Sequence, residues 1–390
     1  MVSRIQEIPG FEDFLKTPGL NDLRQIAAGG PLVFLNASKM GCDAFIVKND
    51  QMQTIPLSKL IYEEVELHGS TFLELLKYPP AQVRHANVAL TKILEWLWDA
   101  IVEPVLKELG FTSRPVGNDW PKVWWVPTGK LTFLPIHAAG YHGAEDLLNT
   151  ALDRVVSCYA STARSMNQAR AKSLSSSQST EKSLLLVSMK DTPDRTSLRA
   201  EEEVAVVKAL LPNSSVVEVI KEPSKADVVS KIPHFNVIHL ACHGELEPNP
   251  SDSRILFTDW RESPFSVGEM AGQRLNSVEL MYLGACDTAR SRDLTSSLPD
   301  ESITFAGACQ VAGIATVIGT LWHIPDLRSI ELVRDFYSGM LTENGGLDIQ
   351  SAAWSLHNAI RSQRVASRKR IGRRIFADPI AWAAYVYVGL

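Results

Sequence analysis

From residue 183 onward, short β-rich runs alternate with helical stretches, and this alternation constrains the fold more than any other feature of the chain. The runs are Ser183–Met189, Val216–Ile220, Val237–Ala241, Val278–Leu283, Ile314–Leu321 and Ala383–Val388. Between most of them lie helical patterns at Leu198–Leu211, Ser224–Lys231, Glu301–Val311, Leu327–Leu341 and Ile349–Ser362. The strands are apolar on consecutive residues, so both of their faces must be covered, and the connections are long enough to cross over. A mostly parallel sheet of about six strands, layered with helices as an α/β/α sandwich, follows. Ser224, Asp300 and Asp326 stand where helix caps are expected.

The first half has a different texture. Pro31–Asn36 and Cys42–Val47 predict two strands joined by a tight turn, and a helix is expected at Leu57–Leu67. Val83–Leu109 is apolar at a near-helical period and predicts one long helix, bent or broken near Pro104. Trp96 and Trp98 on it read as packing residues. Lys122–Val126 predicts a strand, and the following PTGKLTFLPIHAAG a turn and a second strand. His137 and His142 flank a glycine and read as structural. The serine-rich, polar stretch 165–182 is the natural boundary between an N-terminal α/β unit (1–164) and a second unit (183–390).

Composition excludes several classes. The 390 residues are 45% hydrophobic and 21% charged, ordinary for a folded soluble chain, and the net charge of −5 disfavours a general nucleic-acid binder. The N-terminus carries charges where a signal peptide needs an apolar core, and the longest apolar run, Val311–Trp322, is too short to span a bilayer. A cytoplasmic protein with no membrane insertion is expected. The cysteines (42, 158, 242, 286 and 309) are odd in number and lack CxxC spacing, which predicts reduced thiols. One basic stretch, Arg361 to Arg374, contains no acidic residue and reads as a solvated helix end and loop, with docking of an acidic partner, RNA or anionic membrane as the rival.

Two of the strand ends carry chemistry. NVIHLACHG (236–244) delivers His243 before a glycine, and ELMYLGACDTA (279–289) delivers Cys286. Reactive groups in a parallel sheet collect beyond the carboxyl ends of the strands. There a thiolate could attack a carbonyl carbon, an imidazole could move the proton, and the N–H groups of Gly244 and Cys286 could stabilise the oxyanion. No G-x-S-x-G elbow offers a serine alternative. A metal site of His239, Cys242, His243 and Cys286 is the rival. An extended strand would point Cys242 away from both histidines, so no metal and no cofactor is expected.

These blocks, with DESITFAGACQVAGIATVIGTLWHIPD and FADPIAWAAYVYVG after them, resemble the CHAT domain, a caspase-like and separase-like family of cysteine peptidases. VWWVPTGKLTFLPIHAAG and RVVSCYAST extend the resemblance upstream, to about Lys122–Leu390. The resemblance implies a caspase-like sandwich preceded by a pseudoprotease-like subdomain, and a catalytic pair of His243 and Cys286, with His239 as supporting structure. It also implies limited, regulated cleavage of a protein substrate, in immunity or cell death, for example of a gasdermin-like protein. A catalytically silent interaction module is the alternative. TPR repeats often accompany such domains; no 34-residue helical repeat occurs here, so either the chain is a domain cut from a longer protein with a TPR-containing region or it works without that arm, with another regulatory partner. Pocket candidates are Asp287, Asp300, Glu301, Trp322, His323 and Asp326, whose acids would favour Arg or Lys before the scissile bond.

Overall fold

The computed structural model describes residues 4, 6–7, 19–77, 83–160, 166–167, 182–212, 215–285, 288–290, 304–371 and 374–389. After a short helix α1 (Leu20–Ile26), strands β1 (Leu32–Ser38), β2 (Gly41–Val47) and β3 (Met52–Pro56) form an antiparallel meander. Ser38 faces Gly41 across the two-residue turn of the expected hairpin. β3 was not anticipated, because MQTIP is short, polar and ends in proline; it forms the sheet edge, where a missing N–H is tolerated.

Helix α2 (Tyr62–Leu75) begins later than the expected Leu57–Leu67. Leu57 and Leu60 are buried, yet they pack from the segment ahead of the helix, so burial rather than helicity explains their apolarity. Helix α3 (Val83–Leu97) runs through a π turn at Trp98–Val102 into α4 (Glu103–Glu108). Pro104 has no N–H to give to the carbonyl four residues back, and the wider turn accommodates that loss without breaking the helix.

β4 (Lys122–Pro127) is the expected strand. The second strand expected in PTGKLTFLPIHAAG is absent: Gly129–Phe133 and Ile136–Ala138 are 3₁₀ turns. Pro127 and Pro135 remove ladder donors there, and β4 pairs instead with β5 (Val156–Tyr159). His137 and His142 are buried, as a structural role requires. The Tyr159 hydroxyl lies 2.9 Å from His137 Nδ1, and His142 Nε2 donates to the Ala138 carbonyl at 2.7 Å. Burial lowers both imidazoles to about 3, so they stay neutral.

The second half follows the expected alternation: β6 (Leu184–Ser188), α5 (Ala200–Leu210), β7 (Val217–Lys221), α6 (Lys225–Lys231) and β8 (Val237–Ala241). Ser224 does cap α6, in a capping box with Asp227. Then come the small strands β9 (His243–Glu245), β10 (Arg254–Leu256) and β11 (Phe265–Ser266), helix α7 (Val267–Ala271), β12 (Leu280–Leu283), α8 (Phe305–Val311) and β13 (Thr316–Thr320). Helices α9 (Asp326–Met340) and α10 (Ala352–Ser367), a ribbon of β14 (Lys369–Ile371) and β15 (Arg374–Phe376), and β16 (Tyr385–Gly389) complete the chain.

One sheet runs through both halves in the order β3-β2-β1-β4-β5-β16-β13-β12-β8-β6-β7. Its second-half strands, the last six in that order, are the mostly parallel set expected from the sequence. Every residue of β6, β8, β12, β13 and β16 is buried, as a sheet covered on both faces demands. The C-terminal strand does the joining: β16 pairs antiparallel with β13 and parallel with β5. The segment before β5 therefore lies at the same sheet edge as the carboxyl ends of β8 and β12. The serine-rich stretch lies outside the described residues apart from 166, 167 and 182. Among the described residues no helix is long and apolar enough to cross a membrane.

The helical part of the basic stretch is not a solvated face, whereas Lys369 and Arg370 beyond it are exposed. Arg364 is 1% exposed and holds Asp153 Oδ2 at 2.6 Å, while Arg361 and Arg114 hold Oδ1, each at 3.1 Å. Arg368 donates to the Ala144 carbonyl, and Arg370 pairs with Glu145 at the surface. Helical geometry turns Arg361, Arg364 and Arg368 to one face and inward, which a charge count along the sequence does not reveal.

Candidate active site

β8 and β12 are hydrogen-bonded parallel neighbours, with Leu283 opposite Leu240. Beyond these two ends the chain makes the turns that carry the candidate pair. After Ala241 the chain bends at Cys242 and enters β9, so NVIHLACHG is not one extended strand. The two histidines therefore do not share a face.

His239 is buried inside the sheet. Its Nε2 lies 3.0 Å from Glu203 Oε1, its Nδ1 lies 3.2 Å from the Tyr337 hydroxyl, and its ring stacks on Tyr282 with centroids 4.7 Å apart. This is the supporting role anticipated for it. Glu203 also accepts from Ser329 Oγ at 2.7 Å. A carboxylate in a helix of otherwise ordinary amphipathic pattern gave no sequence signal of that role. Among the described residues no three metal-ligating side chains cluster.

His243 is half-buried on β9. Its Nε2 lies 2.8 Å from the Thr196 carbonyl oxygen, which can only accept, so Nε2 carries the proton. Burial lowers its pKa, the Thr196 carbonyl opposes that, and Arg195 and His323 reinforce it, with Asp326 opposing. The ring is thus neutral near pH 7, with Nδ1 bare as a base. Thr196 is a backbone contribution, and side-chain motifs cannot signal it.

Cys286 and Asp287 lie outside the described residues, but both flanks of that pair are pinned. Gly284 N–H donates to the Leu240 carbonyl at 2.8 Å, tying the start of the turn to β8. A Cβ at Gly284 would sit 2.9 Å from both that carbonyl oxygen and Glu203 Oε1, so only glycine fits before the cysteine. The Ala285 carbonyl accepts from Thr320 Oγ1 at 2.9 Å and Thr288 Oγ1 at 3.3 Å, and Thr288 Oγ1 accepts from Thr320 N–H at 3.1 Å. The threonine of ACDTA and the last residue of β13 thereby fix the turn from behind.

A cavity of about 40 Å³ opens beside Gly284, lined among others by Arg199, Glu203, Cys242, His323 and Asp326. Of the pocket candidates, His323 and Asp326 line it. Trp322 does not: it is 3% exposed, donates Nε1–H to the Ile380 carbonyl at 3.0 Å and meets Phe72 edge-on, so it is core. Asp300 and Glu301 lie outside the described residues, and the helix expected from there begins at Phe305 under a Thr304 cap. Asp326 does not cap its own helix, where Pro325 holds the cap position. Its carboxylate instead accepts the backbone N–H of Arg199, the residue that opens α5, at 2.8 Å. That long-range bond is invisible to local pattern.

The CHAT domain model matches residues 91–390, more than three-quarters of the chain. The chain belongs to the CHAT domain family. Among solved structures it is similar to separase in two structures of the Saccharomyces cerevisiae separase–securin complex, with TM-scores of 0.63 and 0.65 at 8% identity. Each similarity covers 95% of this chain and only 31% and 30% of the separase chain. The Arg-specific cysteine proteinase gingipain R is a more distant likeness, with a TM-score of 0.47 at 11% identity, over 77% of this chain and 66% of that one. No curated protein matches the chain in sequence. The CHAT domain of this chain thus shares the α/β fold of the matched part of separase, a large and mostly parallel sheet layered with helices. The family match reaches further upstream than the blocks from Lys122 onward suggest, into helix α3.

Proposed function

We propose that this CHAT protein is a cysteine endopeptidase making limited, regulated cuts in a protein substrate, with Cys286 as nucleophile and His243 as acid and base. The observation that carries the reading is the parallel pairing of β8 with β12. It brings His243–Gly244 and the Gly284–Ala285 segment ahead of Cys286 to one end of the sheet, where the Thr196 bond keeps the proton on Nε2 and leaves Nδ1 unprotonated. In the proposed mechanism Nδ1 takes the Cys286 proton and the thiolate forms a bond to the scissile carbonyl carbon. The oxyanion is held by the N–H groups of Gly244 and Cys286. As the C–N bond breaks, the imidazolium returns its proton to the leaving amine, leaving a thioester. Water then attacks with His243 as base, and the cysteine leaves with its proton restored.

The cavity beside Gly284 suits the side chain before the scissile bond. Asp326 on its wall, with the Glu203 carboxylate beneath, supports a preference for Arg or Lys, with Asp287 and the 300–301 acids as further contributors. The first half buttresses the active half through the shared sheet as a pseudoprotease-like unit. A TPR-containing region or an inhibitory partner would supply regulation, and a gasdermin-like substrate in immunity or cell death is the finer form of this proposal.

The test is mass-spectrometric labelling with a peptidyl electrophile ending in arginine, on wild type, Cys286→Ala and His243→Ala. Cys158 and Cys309 are buried, and burial raises both thiols, Cys158 to about 12, so Cys42 is the useful reference thiol. Labelling of Cys286 ahead of Cys42, falling when His243 is removed, supports the dyad. Equal labelling would favour a silent docking module.

A further inference from the structure

We infer that Arg195, Glu245 and Trp260 are positioning residues for His243, acting through the loop that presents the Thr196 carbonyl. The inference deepens the proposed role of His243 and names the clamp that would orient its ring. His243 and Glu245 stand two apart on β9, so both side chains leave the same face, with Gly244 on the other. The Glu245 carboxylate holds Arg195, the neighbour of Thr196, and is itself fixed by Arg254 through Nε at 2.9 Å and Nη2 at 2.7 Å. Trp260 closes the clamp from the far side. Its Nε1 donates to the Pro193 carbonyl at 3.2 Å, and the guanidinium groups of Arg195, Arg254 and Arg261 lie 5.1, 5.2 and 5.1 Å from its ring centre. Arg261 also pairs with Asp194.

The loop is gripped from its base as well. The N–H groups of Lys190 and Asp191 donate to Glu222 Oε1 at 2.9 and 3.2 Å, and Leu198 N–H donates to the Lys190 carbonyl at 2.9 Å. Each contact on its own is modest, since Arg195 and Arg261 are partly exposed. Together they fix the one backbone oxygen that decides which way the imidazole faces. A carbonyl free to turn would leave that ring free to rotate and its Nδ1 unaimed.

The experiment is ¹H–¹⁵N NMR of the histidine-labelled 390-residue chain, with the His243 signal assigned by its loss in His243→Asn. The wild type should show a slowly exchanging Nε2–H. In Glu245→Gln, Trp260→Leu and Arg195→Lys its exchange should quicken by about tenfold, the worth of one hydrogen bond. Arg195→Lys keeps the charge, and as a partly exposed substitution it keeps the fold, so its titration midpoint should stay near that of wild type. Arg195→Gln removes a charge that acts on the ring together with His323 and Asp326, and should raise the midpoint. An Nε2–H absent from wild type, or equally protected in folded Arg195→Lys and Glu245→Gln, would overturn the inference. Failure of the peptidase reading is seen separately, in the Cys286 labelling, because ring protection needs no activity.

Discussion

Asp153→Asn removes the charge on which three arginines converge and tests the claim that the basic stretch is built inward. Asp153 is 1% exposed, and of its partners only Arg364, also 1% exposed, is left fully buried without the carboxylate it pairs with, keeping its 3.2 Å bond to the Thr150 hydroxyl. Arg361 keeps its place over the Trp120 ring, 4.7 Å from the centroid, and Arg114 is about half exposed, so water replaces its lost pair. The cost is therefore that of breaking one buried pair, about 3–5 kcal/mol, rather than three times that. Asparagine preserves the shape and can still accept from the Thr150 hydroxyl, which bonds Asp153 at 2.9 Å. Urea denaturation followed by both far-ultraviolet circular dichroism and tryptophan fluorescence reads the loss. Asp153→Asn with Arg364→Met should recover most of it, because removing the arginine takes away the lone buried charge that the single variant leaves behind. A single-variant loss below about 1 kcal/mol, or a double variant worse than the single, would refute the reasoning.

Gly284→Ala should cost about 1–3 kcal/mol by overpacking against the Leu240 carbonyl and should slow electrophile labelling of Cys286, measured on the same samples. Tyr337→Phe removes the hydroxyl 3.2 Å from His239 and should lower stability by about 0.5–1.5 kcal/mol in urea melts, with little effect on that labelling. His137, His142 and His357 are each lowered to about 3 by burial, while the unfolded chain binds their protons near 6.5. The unfolded state holds more protons between those values, so this contribution is fully present above about 6.5 and is lost as pH falls toward 3. Each histidine contributes up to about 1.4 kcal/mol per pH unit in that window, and a melting temperature flat from pH 7 to pH 5 would contradict it.

The alternating strands and helices, the hairpin at the start and the strands β8 and β12 that precede His243 and Cys286 in sequence were legible because each is local. They depend on periodicity, on small residues at turns and on apolar runs matched to a covered sheet. What misled was equally local in form. PTGKLTFLPIHAAG has strand-like residues, but its prolines cannot serve a ladder, and Trp322 stands near the site in sequence while its indole is held in the core by Ile380. Arg361 and Arg364 look like a surface patch until Asp153, more than two hundred residues earlier in the chain, is brought beneath them.

The sequence by itself determined the alternating elements of the second half, the family and the residue types available for chemistry, because those follow from neighbours along the chain. Tertiary structure alone decided which groups meet. The order of the eleven-stranded sheet, the insertion of β16 between β13 and β5, the bond from Asp326 to the backbone of Arg199 and the Thr196 carbonyl at His243 all join residues distant in sequence. Such contacts are set by the closure of the whole core and the need to satisfy buried polar groups, and no window of the sequence contains both partners.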